Sequence, residues 1–140
     1  MGAIMARVKQ VSEIKKLSEA EETLALHLRA LDIAFEREYR FAAIATGGIG
    51  SGVQARLRDA KLKDWRFDFI IPAIRLAVEV EGGAGIYGRH QRPDGFHNDL
   101  IKYQEALKLG WTVYRVDAKM VHNGLAVNTI QLLLERQLRG

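Results

Sequence analysis

Two short apolar runs, Arg66-Phe67-Asp68-Phe69-Ile70-Ile71 and Leu76-Ala77-Val78-Glu79-Val80-Glu81, lie four residues apart and constrain the fold more than any other feature of the chain. Both are rich in β-branched and aromatic residues, and the intervening Pro72-Ala73-Ile74-Arg75 is short enough to turn one strand back on the other. A four-residue turn pairs Ile71 with Leu76 and a two-residue turn pairs Pro72 with Arg75; in both cases paired numbers sum to 147. Asp68 then lies opposite Glu79. Opposed residues on antiparallel strands hold their Cβ atoms about 4.5–5.5 Å apart, and like charges there are unfavourable without a compensating partner. Glu81 shares the face of Glu79, whereas Val78 and Val80 turn to the other side. The hairpin therefore gathers three carboxylates on one patch.

The rest of the chain is predicted as follows. A short helix spans Val8 to Leu17, and Ser18 caps a second helix from Glu19 to about Ala34, with Leu24, Leu28 and Leu31 as its apolar face. Leu17 and Glu21 extend that face backward, which aims Glu21 at the core sheet. The alternative is a capping box, Ser18-Glu19-Ala20-Glu21, in which the glutamate reaches back to the cap amide and Glu22 becomes the fallback acid. Glu38 to Ala42 is a short strand, and the glycines of Gly47 to Gly52 make a mobile loop. Val53 to Lys61 is a small helix whose Arg56, Arg58 and Lys61, with Lys63 after it, form either a solvated face or a nucleic-acid-facing one. A further glycine-punctuated loop, 82–92, leads to a helix from about Asp94 to Leu109 with Phe96, Leu100, Tyr103 and Leu107 at core spacing, and Gly110 stops it. A strand over Trp111–Val116 and an amphipathic helix over Leu125–Leu138 complete the order helix, three strands, helix, strand, helix.

At 140 residues the chain is the size of one domain, with residues 1–17 as an arm or short helix and 43–63 as a glycine-rich insertion. Cysteine is absent, which excludes disulfides, thiolate zinc sites and cysteine nucleophiles. Lysine and arginine number 21 against 17 acids, a net +4 that favours an anionic partner and also serves solubility. The apolar runs fall short of the roughly 18 residues a membrane span needs, and the N-terminus lacks a signal-peptide core, so a soluble, cytoplasmic protein without a membrane partner is expected. The run Gly47–Gly52 lacks the Lys-Ser or Lys-Thr of a phosphate-binding P-loop, and neither a Gly-x-Ser-x-Gly elbow nor paired histidines at helical spacing occur.

Carboxylates grouped in this way suit a hard divalent cation, Mg2+ or Mn2+, held by Asp68 and Glu79 together with water and substrate phosphate oxygens. Such an ion can polarise a phosphodiester and generate hydroxide at neutral pH. The competing reading is a solvent-facing strand whose acids pair with Arg66 and Arg75. In the loop after the Glu79 strand, His90 suits a general base or a phosphate contact, and Arg89 and Arg92 offer guanidinium forks to phosphate.

These residues resemble the PD-(D/E)XK nuclease superfamily, and within it the branch that includes very-short-patch-repair endonuclease and phage or Holliday-junction nucleases. Glu21-x-x-Leu24 with Leu28-Arg29 resembles the first helix of the family, Arg66-Phe67-Asp68-Phe69 its first metal-ligand strand and Leu76-Ala77-Val78-Glu79-Val80-Glu81-Gly82-Gly83 its second. Asp99-x-x-Lys102-Tyr103 and Gly110-Trp111-x-Val113-x-Arg115 resemble the helix and strand that follow. The resemblance covers about Ser18 to Val116. It implies a restriction-endonuclease-like αβββαβ core, a mixed sheet flanked by helices, acting as a divalent-metal-dependent endodeoxyribonuclease. Asp68 and Glu79 would bind the metal, with Glu21 and Glu81 as further acids at the site. Family habit adds DNA as partner, with branched or junction substrates and a homodimer as open options. The lysine expected two residues after the glutamate is replaced by Glu81, and Lys102 on the helix is the candidate substitute, although helical angles put it off the apolar stripe. Without that lysine, the same fold could serve as a catalytically inactive nucleic-acid-binding module. A third alternative is an assembly domain in which the helix over Leu125–Leu138 packs against its own copy.

Overall fold

The computed structural model describes residues 2–82 and 93–140. One uninterrupted helix, α1 (Gly2–Ala30), opens the chain where the sequence predicts two helices separated by a cap. No glycine or proline interrupts 3–30, and good helix formers dominate it, so Ser18 is carried inside the helix and has no orphan amides to cap. The capping-box role of Glu21 falls with it. Only the second half of α1 is packed: Ala20, Leu24, Ala25 and Leu28 are buried, whereas Ile4, Val8 and Val11 on the first half are exposed. Leu31, expected on the core stripe, lies beyond the helix end and is 40% exposed.

Among the described residues the strands form a four-stranded sheet in the order β1 (Glu36–Tyr39), β2 (Phe67–Ile71), β3 (Leu76–Glu81), β4 (Thr112–Asp117). The first three are antiparallel and β4 runs parallel to β3, so the sheet is mixed. The hairpin register is the expected one: Phe69, Ile70 and Ile71 pair with Val78, Ala77 and Leu76. A 3-10 turn over Pro72–Ile74 closes it, with Arg75 in the left-handed region at φ +47°. Arg75 is held there by a bond from its Nη2 to the Leu109 carbonyl (2.6 Å) and by stacking over Trp111 at 4.4 Å. It therefore does not serve as a partner for the hairpin acids.

The segment expected to extend the first strand to Ala42 instead turns after Tyr39 into α2 (Phe41–Ala45), followed by α3 (Val53–Asp59). Phe41 is the reason: its ring stacks on Phe67 at 4.3 Å and lies near parallel to Trp65. Phe41, Ala42 and Leu57 build a second core with Phe67, Ile70, Ala77, Ala106 and Trp111. The insertion over 43–63 is thus partly structural. On the opposite side α1, α5 (Ala118–His122) and α6 (Leu125–Arg139) cover Phe69, Ile71, Leu76, Val78 and Val80. Strand β3, buried on both faces, separates the two cores.

The fourth helix, α4 (Pro93–Lys108), ends at Gly110 as expected, with the glycine at φ +88°. Its orientation reverses expectation. Phe96, Leu100 and Leu107 are 56%, 50% and 72% exposed, and the buried side carries Asp99, Lys102 and Ala106. Of the predicted stripe, Tyr103 turns inward to Glu79, whereas Phe96, Leu100 and Leu107 do not pack on the sheet.

Candidate active site

Strand β2 loses its regular pleat at Asp68. Phe69 and Ile71 point into the α1 core and Ile70 into the other, but Phe67 joins Ile70 where strict alternation would place it with Phe69. The ladder to β3 reaches Phe69–Val78, and at the next position the Asp68 side chain takes over: its Oδ2 accepts the backbone N–H of Val80 at 2.8 Å. On the other edge, pairing of Arg37 with Phe69 and Tyr39 with Phe67 places Glu38 opposite Asp68, and Glu38 sits at φ +50°. Strand β1 thus brings Glu38 beside Asp68, Glu79 of β3 lines the same cavity as Asp68, and β4 adds Arg115 opposite Glu79.

Helix α1 adds Glu21. Carboxylate oxygens of Glu21, Glu38 and Asp68 lie within 4.8 Å of one another. Glu21 is hydrogen-bonded to Asp68, and burial first, then the Asp68 and Glu38 charges, push its carboxyl from 4.5 up to about 7. Burial likewise raises Asp68, reinforced by the charges of Glu79 and Glu38 and opposed by the Val80 amide. Arg37 lowers Glu21 only partly, and Arg66 Nη1 stands 3.6 Å from Glu38 on an exposed edge. Among the described residues, Arg37 and Arg66 are the cations recorded beside this cluster of three carboxylates. Such an oxygen donor set could hold a hard divalent cation, Asp68 and Glu21 being its half-buried members and Glu38 its exposed one.

Glu79 is held differently. Its Oε1 is ion-paired with the ammonium of Lys102, and its Oε2 accepts from the Tyr103 hydroxyl at 2.6 Å. Both partners come from the polar inward face of α4, so the position of Lys102 off the apolar stripe is what brings it to the site. The ammonium also lies 5.4 Å from the Phe67 ring centre, within cation–π range. Glu81 is ion-paired with Arg115, Nε to Oε1 2.6 Å, and the Arg115 guanidinium lies 5.0 Å from the ring centre of Tyr103. Asp68, Glu79, Glu81, Lys102, Tyr103, Asp99 and Arg66 line one open cavity of about 300 Å³.

The expected site residues Asp68, Glu79, Glu81 and Lys102 thus converge, and Glu21 joins through Asp68. Glu38 and Tyr103 were not assigned from sequence. Glu38 becomes visible once β1 is paired in register with β2, whereas Tyr103 needs the orientation of α4. Of the expected phosphate contacts, Arg56 is committed elsewhere: its two terminal nitrogens donate to the carbonyls of Ser51 (2.8 Å) and Gly48 (2.7 Å). It holds the glycine turn that the sequence predicts as mobile. Arg58 and Lys61 are exposed on α3 and just beyond it, and Lys63 reaches Asn98 at 3.4 Å. Arg89, His90 and Arg92 lie outside the described residues.

No described helix is long and apolar enough to cross a membrane. Comparison with family models, with curated proteins and with solved structures found no match to this chain.

Proposed function

We propose that this protein is a divalent-metal-dependent nuclease with a restriction-endonuclease-like core, acting on DNA. The observation that carries the reading is Lys102. A part-buried ammonium from α4 stands beside Glu79 in the cavity that also contains Asp68, which supplies the cation whose usual position, two residues after Glu79, is occupied by Glu81. The element order α1, three antiparallel strands, α4 and a parallel β4 supports the same reading.

In this scheme Asp68, with Glu21 and Glu38 beside it and Glu79 in the same cavity, would hold Mg2+ or Mn2+. The ion supplies Lewis-acid polarisation of a phosphodiester and a lowered pKa for water. Asp68 is oriented by the Val80 amide and Glu79 by Tyr103. Lys102 can pivot from Glu79 toward an entering phosphate oxygen, exchanging one anionic partner for another. Glu81 neutralises Arg115 and has no direct chemical role. Exposed Arg58, Lys61 and Arg66 attract the duplex, a contribution that weakens with salt.

The test is cleavage of supercoiled plasmid, linear duplex and a four-way junction in Mg2+, Mn2+ and chelator, with Asp68→Asn, Glu79→Gln and Lys102→Met alongside. Metal-dependent cutting lost in all three variants is expected, and the substrate cut identifies the shape preference. A second reading, a binding module without activity, is favoured by one observation: both oxygens of Glu79 already have partners within the protein. DNA binding that persists in chelator with no cutting in either metal would establish that reading and overturn the nuclease.

A further inference from the structure

We propose that Tyr103 is a positioning residue that keeps the Glu79 carboxylate at the ion site when Lys102 leaves it. The inference rests on the metal-dependent reading above and assigns Tyr103 a part in it. Glu79 has two supports that differ in charge. Lys102 is a cation, so an incoming divalent ion repels it and a phosphate attracts it; its hold on Oε1 is weakest when substrate and metal are present. The Tyr103 hydroxyl is neutral and its 2.6 Å bond to Oε2 carries no such conflict. A carboxylate oxygen has about two acceptor directions, so Oε2 can accept from Tyr103 and still face a cation.

Tyr103 is itself fixed. The Arg115 guanidinium lies 5.0 Å from its ring centre, Arg115 is held by Glu81 at 2.6 Å, and Arg115 is the β4 partner of Glu79 in the sheet register. The carboxylate that replaces the usual motif lysine thereby acquires a purpose. Glu81 anchors the arginine that packs on the tyrosine that orients Glu79. Glu79 in turn is buried, so without the hydroxyl and with the ammonium displaced it would have no described side-chain donor left.

The experiment compares wild type with Tyr103→Phe, which keeps the ring and its contact with Arg115 and removes only the hydroxyl. Mn2+ binding is measured by calorimetry, and plasmid cleavage is followed as a function of Mn2+ concentration. The expected result is a metal affinity about tenfold weaker, the usual scale for loss of a group that orients a ligand. The Mn2+ concentration for half-maximal cleavage should rise by the same factor, and the rate should recover at saturating Mn2+. A merely structural role predicts an unchanged metal dependence, with any loss of rate persisting at all concentrations. Equal Mn2+ affinity in the two proteins overturns the proposal while leaving the nuclease reading intact. A wild type that binds no Mn2+ overturns both.

Discussion

Replacing Glu21 with glutamine removes a charge while leaving an amide that can still donate a hydrogen bond to Asp68. In the folded protein burial and the neighbouring carboxylates raise Glu21 from 4.5 to about 7, so protonation favours the folded state. Well below the unfolded value of 4.5 the group is neutral in both states and its full contribution is present. As pH rises through about 7 the folded carboxyl ionises beside Asp68 and Glu38, and that contribution is lost. A shift of this size corresponds to at most about 3 kcal/mol, and solvent screening of a half-buried group reduces it to about 1–2 kcal/mol. Urea denaturation followed by circular dichroism in chelator, at pH 4.5, 6 and 8 and constant ionic strength, measures it. Glu21→Gln should match wild type near pH 4.5 and exceed it by about 1–2 kcal/mol at pH 8. For 140 residues that corresponds to a rise in Tm of about 3–7 °C. A variant whose stability differs from wild type by a constant amount across this range, or one less stable at pH 8, would refute the electrostatic account of the cluster.

The same repulsion predicts that Mn2+ stabilises wild type at pH 8, by about 2.7 kcal/mol at a concentration 100 times its Kd. Thermal denaturation should show this rise in wild type and its loss in Asp68→Asn. Phe41→Ala should cost about 3–5 kcal/mol in urea denaturation, since Phe41 is buried and stacked on Phe67; a loss below 1 kcal/mol would show that α2 is a dispensable insert. Arg56→Ala should speed amide exchange over residues 47–52, whose carbonyls at Gly48 and Ser51 it holds. In DNA-binding titrations it should leave the salt slope unchanged, whereas Arg58→Ala with Lys61→Ala should make that slope shallower.

The mixed α/β architecture and the hairpin register were legible because their determinants are local. Strand alternation and a turn of fixed length place Ile71 on Leu76, and the pairs out to Phe69 and Val78 follow by counting; at Asp68 the side chain takes the Val80 amide instead. Gly110 marked a helix end because a residue at φ +88° is strongly biased toward glycine. Helix α4 was misread for the opposite reason. Phe96, Leu100, Tyr103 and Leu107 repeat at helical spacing, but periodicity identifies a face without saying which edge of it meets the sheet, and of the four Tyr103 turns inward. Ala77 and Trp111 bring α4 close through Ala106, and Glu79 binds Lys102 and Tyr103 on the same side. The α4 face with the charged groups is therefore the one turned inward.

Glu38 and Arg56 illustrate the same division. Neither belongs to a distinctive local pattern: Glu38 becomes significant through its place opposite Asp68, and Arg56 through two carbonyls that the glycine turn presents to it. Residue order determined the strand pairing and the acids each strand would carry, since a two-residue repeat is a property of the chain alone. Packing decided which acids gather with Glu21 and which with Lys102, because that depends on how separate elements share the burial of their apolar faces.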